Sequence, residues 1–198
     1  MTTALLIALA YLIGSVPFAI VASRLFGLAD PRQYGSGNPG ATNVLRSGNK
    51  AAALLTLIGD CAKGWFAVWL AIMLGFSAPV AALAGLAAFL GHVFSLFLKG
   101  KGGKGVATAL GVLIGINPVV AAIALVTWLL IAVTTRYSSA AALAAAAATP
   151  MAGIALIDDA GVIGTLFAVA AVLVWRHAEN IRRLKEGKEG KIGGKKSA

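Results

Sequence analysis

Charged side chains are scarce in this chain, and acidic ones are the scarcest. Only 12% of the 198 residues are charged, and 7 Asp and Glu stand against 17 Lys and Arg. A soluble domain carries about 25% charged residues. Hydrophobic residues make up 59% of the chain, and its mean hydropathy is +0.88. The composition excludes an ordinary soluble domain and predicts an integral membrane protein.

Several features that carry chemistry in other proteins are absent. The single cysteine, Cys61, excludes an intramolecular disulfide. No His-x-x-x-x-Asp dyad exists, since Phe97 stands five residues after His92 and Arg182 five residues after His177. The sequence also lacks a serine-centred elbow, a nucleotide motif and a metal-ligand cluster. We therefore expect no metal and no other cofactor.

We attribute the formal net charge of +10 to Lys and Arg residues at the membrane edges rather than to nucleic-acid binding. The basic segments are 24–50, 99–104, Arg136 and 176–198, whereas the connections at 76–79, 117–118 and 158–161 contain no Lys or Arg. Cytoplasmic loops carry the excess of Lys and Arg, and such loops also attract anionic lipid headgroups. The basic segments are therefore predicted to share the cytoplasmic face.

Seven apolar segments are candidate spans: 3–26, 51–75, 79–98, 106–116, 119–135, 139–157 and 161–176. A single span over 106–135 would place Arg136 and the basic tail on the face opposite 99–104. Every basic segment lies on one face only if the chain crosses the membrane once before Asn117–Pro118 and once after it. We predict an all-α polytopic protein with seven transmembrane helices, one or two of them short or broken. The N-terminus lies outside and the C-terminus in the cytoplasm. Residues 1–181 form a single membrane-embedded domain, and 182–198 form a basic tail that is disordered at its end.

A polar, glycine-rich loop follows the first span. Its candidate binding residues are Gly35, Ser36, Gly37, Asn38, Gly40, Thr42, Asn43 and Arg46. Glycine lets backbone N–H groups approach an anion, and arginine offers a bidentate fork to phosphate. An ordinary turn-rich loop is the alternative, because Gly, Asn and Pro are turn residues. Since the loop combines many small polar donors with a terminal arginine, we interpret it as a phosphate-binding loop.

A second glycine-rich loop precedes the short segment 106–116. It contains Lys101, Gly102, Gly103 and Lys104. Lys104 stands where a helix begins, and the free N–H groups and dipole of a helix N-terminus attract anions. We therefore assign phosphate binding to Lys104. Lys99 and Lys101 have the alternative of snorkelling to lipid headgroups.

Two ionisable residues lie inside the second apolar segment. Asp60 and Lys63 are three residues apart, so they share a helix face and can pair. Ionisable groups are costly within a span, which favours a functional site. A structural ion pair between helices is the alternative. The spacing does not decide between the two for Asp60, whereas Lys63 is interpreted as structural.

The end of the last span carries a further polar cluster. His177 and Asn180 share a helical face and are site candidates, and Ser139 is a weaker one. His92 is interpreted as a packed, hydrogen-bonded histidine.

Four motifs in this order resemble the bacterial acyl-phosphate:glycerol-3-phosphate acyltransferases (PlsY type). They are Gly35–Arg46, Asp60–Gly64, Gly91–Phe94 with Lys101–Thr108, and Arg176–Ile181. The resemblance covers essentially the whole chain. It implies a seven-helix inner-membrane enzyme, the first step of phospholipid synthesis, in which acyl-phosphate acylates the 1-hydroxyl of sn-glycerol 3-phosphate. The products are lysophosphatidic acid and phosphate.

The resemblance also implies roles for residues. Ser36, Arg46, Lys104, His177 and Asn180 are the expected catalytic group, with Ser139 beside them, and the Asp60–Gly64 motif serves glycerol 3-phosphate. The base is either His177 or the phosphate of glycerol 3-phosphate itself. We expect a monomer among membrane lipids, with no nucleic-acid partner and a site facing the cytoplasm. A transporter of phosphorylated solutes and a lipid-binding subunit are the alternatives.

Overall fold

The computed structural model describes residues 1–193, and all regular structure in that range is helical. The helices are α1 (Thr3–Ser15), α2 (Phe18–Leu25), α3 (Ala41–Val44), α4 (Lys50–Met73), α5 (Ala78–Val93), α6 (Val106–Ile116), α7 (Pro118–Thr135), α8 (Ser138–Leu156), α9 (Ala160–Arg176) and α10 (Ala178–Lys185). Short 3-10 turns follow α3 at Leu45–Ser47 and α5 at Leu96–Leu98. The predicted all-helical class is confirmed over these residues.

Each of the seven predicted apolar segments is helical, but they differ in length. Within the described range, five are long and apolar enough to cross a membrane: Thr3–Leu25, Lys50–Met73, Ala78–Leu98, Pro118–Thr135 and Ser138–Leu156. A sixth is obtained if α9 and α10, which bend by 56°, form one span. Helix α6 has 11 residues and covers about 17 Å of a core roughly 30 Å thick. The seventh crossing therefore stays a prediction.

The first compact unit, Met1–Pro118, brings its helices close together at glycines. Gly14 of α1 lies against the backbone of Ala88 in α5, and Gly64 of α4 lies against the carbonyl of Thr108 in α6. A Cβ atom at either glycine would overlap the facing backbone. In lipid, no hydrophobic effect drives helices together, so they associate through close packing, which small residues permit.

A break at Val16–Pro17 interrupts the first apolar segment. Proline lacks an amide N–H and disfavours helix at the preceding residue, so α1 ends before the break and α2 begins after it. The Ser15 carbonyl beside the break accepts a 2.6 Å hydrogen bond from the Ser95 hydroxyl. The break is therefore held against the chain that follows α5.

The second compact unit begins at Val119 and contains α8 packed against α9. Part of the tail folds back onto the turn between α7 and α8: the Ile192 amide donates to the Arg136 carbonyl at 2.7 Å, and Arg136 Nη2 donates to the Ile192 carbonyl at 3.1 Å. We call residues 188–193 the strap. Disorder is predicted for the tail after Gly187. Residues 188–193 of this stretch make the contacts of the strap, and residues 194–198 lie outside the described residues.

Candidate functional site

The polar loop between α2 and α4 is organised around the buried side chain of Asn43. Its Oδ1 atom accepts hydrogen bonds from the Ser36 amide at 2.9 Å and from Arg46 Nη1 at 3.4 Å. Its Nδ2 atom donates to the carbonyl oxygens of Pro31 at 2.6 Å and Tyr34 at 3.1 Å. Asn43 therefore ties both ends of the loop together and brings Ser36 next to Arg46.

Two glycines give this loop its path. Gly35 and Gly37 have φ values of +60° and +68°, which side chains other than glycine rarely adopt. A Cβ atom at Gly35 would also overlap Asn43 Oδ1. Ser36, Thr42 and Arg46 remain exposed, whereas Asn38 and Gly40 are half-buried at the turn before α3. The loop thus presents an exposed guanidinium beside backbone and hydroxyl donors, which is a suitable set for binding an anion.

The second loop is fixed by backbone hydrogen bonds to the end of α5. The Gly102 amide donates to the Val93 carbonyl at 3.1 Å, and the Gly103 amide donates to the His92 carbonyl at 3.2 Å. Both glycines are buried, whereas Lys101 is exposed and Lys104 is half-buried. The next residue, Gly105, caps α6, so Lys104 directly precedes the N-terminus of a helix, where the dipole favours a bound anion.

The two loops meet within the first unit. A Cβ atom at Gly103 would lie 3.1 Å from the Pro39 carbonyl oxygen, which is tighter than ordinary contact. The glycine therefore allows the backbone of the Lys104 loop to pass directly beside the Arg46 loop. The structure brings together these two predicted phosphate-binding motifs, which are more than fifty residues apart in the sequence.

Asp60 and Lys63 form a buried ion pair inside the first unit. Lys63 Nζ donates to Asp60 Oδ1 at 2.7 Å and to the Val16 carbonyl at 2.7 Å. Both side chains are only 3% exposed. Asp60 Oδ1 also lies 3.4 Å from His92 Nδ1 on α5. The pair connects α4 to the break in the first span and to α5, which is the structural alternative weighed from the sequence.

Gly64 lies on the packed face of α4. Because a Cβ atom there would overlap the Thr108 carbonyl of α6, the absence of a side chain is explained by helix packing. The structure therefore accounts for this glycine without the predicted role in substrate binding. The facing Thr108 carbonyl could not be predicted from the spacing of residues in the sequence.

In the second unit, Ser139 and Asn180 share a carboxylate partner that sequence reasoning missed. Glu189 of the strap accepts hydrogen bonds from Ser139 Oγ at 2.6 Å, Asn180 Nδ2 at 2.6 Å and Arg183 Nε at 2.7 Å. Burial acts to raise the pKa of Glu189, but the hydrogen bonds from these three groups outweigh it and hold the pKa below its ordinary value. In the structure these two predicted site residues therefore bond to a carboxylate of the same chain, and their binding of substrate stays a prediction.

His177 lies at the junction of α9 and α10 and is 2% exposed. Its Nδ1 atom is 2.8 Å from the Leu173 carbonyl oxygen, which can only accept a hydrogen bond. Nδ1 therefore carries a hydrogen, and in the neutral imidazole Nε2 is the acceptor nitrogen. Over residues 1–193, no group of three or more His, Cys, Asp or Glu is arranged to hold a metal ion.

Comparison with known proteins identifies the family. The model of the family described as "Glycerol-3-phosphate acyltransferase" matches residues 4–187. The chain belongs to this family. It is 70% identical over 193 residues to a glycerol-3-phosphate acyltransferase of Aromatoleum aromaticum, covering 98% of both chains. It is 56% identical to one of Laribacter hongkongensis, covering 100% of both.

Solved structures agree with this membership. The acyltransferase superposes with a TM-score of 0.91 on PlsY (YgiH), an integral membrane glycerol 3-phosphate acyltransferase, in its glycerol 3-phosphate form. The two chains are 37% identical, and 96% of each is covered. The lysophosphatidic acid form of PlsY superposes with a TM-score of 0.89 at 36% identity. The acyltransferase described here is therefore an integral membrane enzyme of lipid biosynthesis.

Proposed function

We propose that this enzyme transfers a fatty acyl group from acyl-phosphate to the 1-hydroxyl of sn-glycerol 3-phosphate. The observation that carries the proposal is the meeting of the Arg46 loop and the Lys104 loop beside Gly103. Both substrates are anions, and the leaving group is phosphate. Two cationic loops side by side suit a reaction that must hold two phosphate groups next to each other.

In this reaction the 1-hydroxyl oxygen attacks the acyl carbonyl carbon. The new bond is the ester C–O bond of lysophosphatidic acid, and the bond that breaks joins the acyl carbon to the phosphate oxygen. We assign Arg46 and Lys104 to the phosphate groups, where they offset repulsion between the reactants and stabilise the departing phosphate. The Ser36 hydroxyl, the Asn38 side chain and the loop amides add hydrogen bonds. The donor to the acyl carbonyl oxygen is either a loop amide or Asn180.

The hydroxyl proton has two possible acceptors. One is Nε2 of His177, whose Nδ1 hydrogen is directed to Leu173. The other is the phosphate of glycerol 3-phosphate itself, which we favour because the chain lacks the usual His-x-x-x-x-Asp dyad. If the substrate phosphate is the base, His177→Ala weakens substrate binding but keeps near-normal kcat. A large fall in kcat in His177→Ala would instead assign the proton to the imidazole.

The proposal includes the placement of the enzyme in the membrane. We propose seven crossings of the bacterial inner membrane as a monomer, with the N-terminus outside and both the site and the C-terminus facing the cytoplasm. The charge asymmetry of the connections supports this topology. Single cysteines at positions 117 and 136, in a Cys61→Ala background, test it by labelling from outside in intact spheroplasts. Labelling at 117 but not at 136 is expected, and the reverse or equal labelling refutes the topology.

Purified enzyme in detergent micelles tests the reaction. It is given labelled glycerol 3-phosphate with palmitoyl-phosphate, palmitoyl-CoA or palmitoyl-acyl carrier protein as the donor. Labelled lysophosphatidate is expected only with palmitoyl-phosphate. Product from either thioester at a comparable rate, or no product from palmitoyl-phosphate, refutes the proposed donor.

Paired lysine variants show whether the product comes from the proposed site. Removing a cation that stabilises developing charge costs about 100-fold in rate, so Lys104→Ala is expected to lose about that much of kcat/KM. Lys50→Ala is the matched control, because Lys50 is an exposed lysine at the start of α4 outside both loops. Equal activity in the two variants would show that Lys104 is not part of the site.

A further inference from the structure

A continuous chain of polar contacts runs through the first unit to the Lys104 loop. It begins at the Val16 carbonyl, which Lys63 contacts, and continues from Lys63 to Asp60. Asp60 lies 3.4 Å from His92 Nδ1. His92 is the last of these groups before the glycine loop, so it stands between a buried ion pair and the loop that carries Lys104.

The two ring nitrogens of His92 face different partners. Nδ1 faces the Asp60 carboxylate, whereas Nε2 lies against Gly103, where a Cβ atom would overlap it. The residue as a whole is 7% exposed. The imidazole therefore fills the space between α4 and the glycine loop.

The backbone of the same residue also holds the loop. The His92 carbonyl accepts the Gly103 amide hydrogen at 3.2 Å, and the neighbouring Val93 carbonyl accepts that of Gly102 at 3.1 Å. The Pro39 carbonyl oxygen also borders the position that a Cβ atom of Gly103 would occupy. With His92 and Pro39 as neighbours, Gly103 has little room to move, and Lys104 is the next residue.

We propose that His92 is a positioning residue for this acyltransferase: its Nε2 edge sets the place of Gly103 and thereby of the Lys104 ammonium. Asp60 and Lys63 act through it by holding the ring from the other side. The proposal rests on the proposed phosphate-binding role of Lys104. A displacement of about 1 Å in a group that positions substrate can cost up to 100-fold in rate. The predicted effect of His92 is thus on turnover and not only on folding.

Two substitutions distinguish the role of the Nδ1 edge of the His92 ring from that of its Nε2 edge. The side-chain amide of His92→Asn can replace Nδ1 at Asp60 but is too short to reach Gly103. The longer His92→Gln side chain can place its amide where Nε2 was, against Gly103. If the loop contact is what matters, His92→Asn lowers kcat/KM for glycerol 3-phosphate about 30-fold, whereas His92→Gln stays within about threefold of the unchanged enzyme.

Three measurements on the full-length enzyme in detergent decide the case. Thermal unfolding is expected to give His92→Asn a Tm within a few degrees of the unchanged enzyme. Hydrogen exchange is expected to show faster exchange of the Gly102 and Gly103 amides, with α4 unchanged. In a Lys104→Ala background, His92→Asn is expected to cause no further loss of kcat/KM, because the residue acts through Lys104.

The results that overturn the proposal are equally specific. They are unchanged kinetics in His92→Asn, a loss in His92→Gln as large as in His92→Asn, or a full additional loss in the Lys104→Ala background. If His92→Asn does not fold, Gly103→Ala takes its place, since its methyl group would overlap His92 Nε2 and so force the loop and the ring apart while Asp60, Lys63 and His92 all keep their identity. A Gly103→Ala enzyme with normal kcat/KM then refutes the proposal. Failure of the proposed function is seen separately, as no lysophosphatidate from the unchanged enzyme.

Discussion

Lys63 and Val16 are joined across the first unit, because the Lys63 ammonium donates a 2.7 Å hydrogen bond to the Val16 carbonyl. The Val16 carbonyl lies beside the proline break in the first span, where the regular hydrogen-bond pattern of α1 ends. One lysine therefore satisfies both the Asp60 carboxylate and a backbone oxygen at the break. This pairing makes Lys63 more important to the fold than an isolated ion pair would be.

Replacing Lys63 by methionine is expected to destabilise the enzyme by about 3–5 kcal/mol, because it leaves Asp60 buried without its cation. The double variant Asp60→Asn/Lys63→Met removes both charges and is expected to lose less than Lys63→Met alone. Thermal unfolding in detergent gives the comparison. A double variant less stable than Lys63→Met would contradict the interpretation of the pair as mutually compensating.

Replacing Arg46 by lysine is expected to lower kcat/KM for glycerol 3-phosphate about tenfold, although the charge is kept. Lysine is a point charge and cannot reproduce the planar, bidentate fork that arginine offers to phosphate. Arg32→Lys is the matched control, because Arg32 pairs with Asp30 on the exposed part of the same loop. Steady-state kinetics with palmitoyl-phosphate measure both. Equal losses in the two variants would show that loop charge, rather than the Arg46 fork, matters.

The strap is expected to detach in acid. Hydrogen bonds to the carboxylate hold the pKa of Glu189 below its ordinary value, so docking favours the ionised form. This stabilisation is complete at neutral pH and is lost as the pH falls through the lowered pKa. Hydrogen exchange of the Ile192 amide, corrected for the intrinsic effect of pH, measures docking through its bond to Arg136.

A neutral residue at position 189 is expected to reproduce the acid state at pH 7. Glu189→Gln should lower the protection of the Ile192 amide about tenfold, in line with the loss of charge-assisted hydrogen bonds. Its remaining protection should not depend on pH between neutral and acid. Glu179→Gln serves as the control, since the Glu179 side chain is 68% exposed. Protection that is the same in both variants would exclude Glu189 as the anchor of the strap.

Alanine at Gly64 is expected to lower the Tm, because its methyl group overlaps the Thr108 carbonyl and separates α4 from α6. Gly164 in α9 is the matched control, since nothing lies within 4 Å of a Cβ atom there. Gly164→Ala is expected to be neutral or stabilising by up to about 1 kcal/mol, the difference in helix propensity. Unfolding in detergent distinguishes them, and a Gly64→Ala enzyme as stable as Gly164→Ala would be inconsistent with this packing.

Hydropathy and charge predicted much of the fold. The seven apolar segments are all helical, and Asn117–Pro118 separates α6 from α7 as the proline rule required. The number of crossings did not follow in the same way, because α6 has only 11 residues. Length and composition cannot say how a helix that short is accommodated in the bilayer.

The candidate site was predictable where its residues are close in sequence. Glycine, lysine and arginine in short motifs indicated both loops. The contact between Asp60 and His92 was not predictable, because it joins two helices and depends on how they pack. Glu189 was missed for a similar reason: among the tail's basic residues it has no distinctive spacing, and only the folded strap brings it to Ser139 and Asn180.

The close approach of Gly14 to Ala88 has a consequence for biogenesis. The two helices that meet there are separated in the sequence by all of α4, so the ribosome completes α1 long before its neighbour α5 exists. Until then, the face of α1 around Gly14 borders lipid or the insertion machinery. The face of α1 around Gly14 is therefore incompletely packed after insertion until α5 has been synthesised.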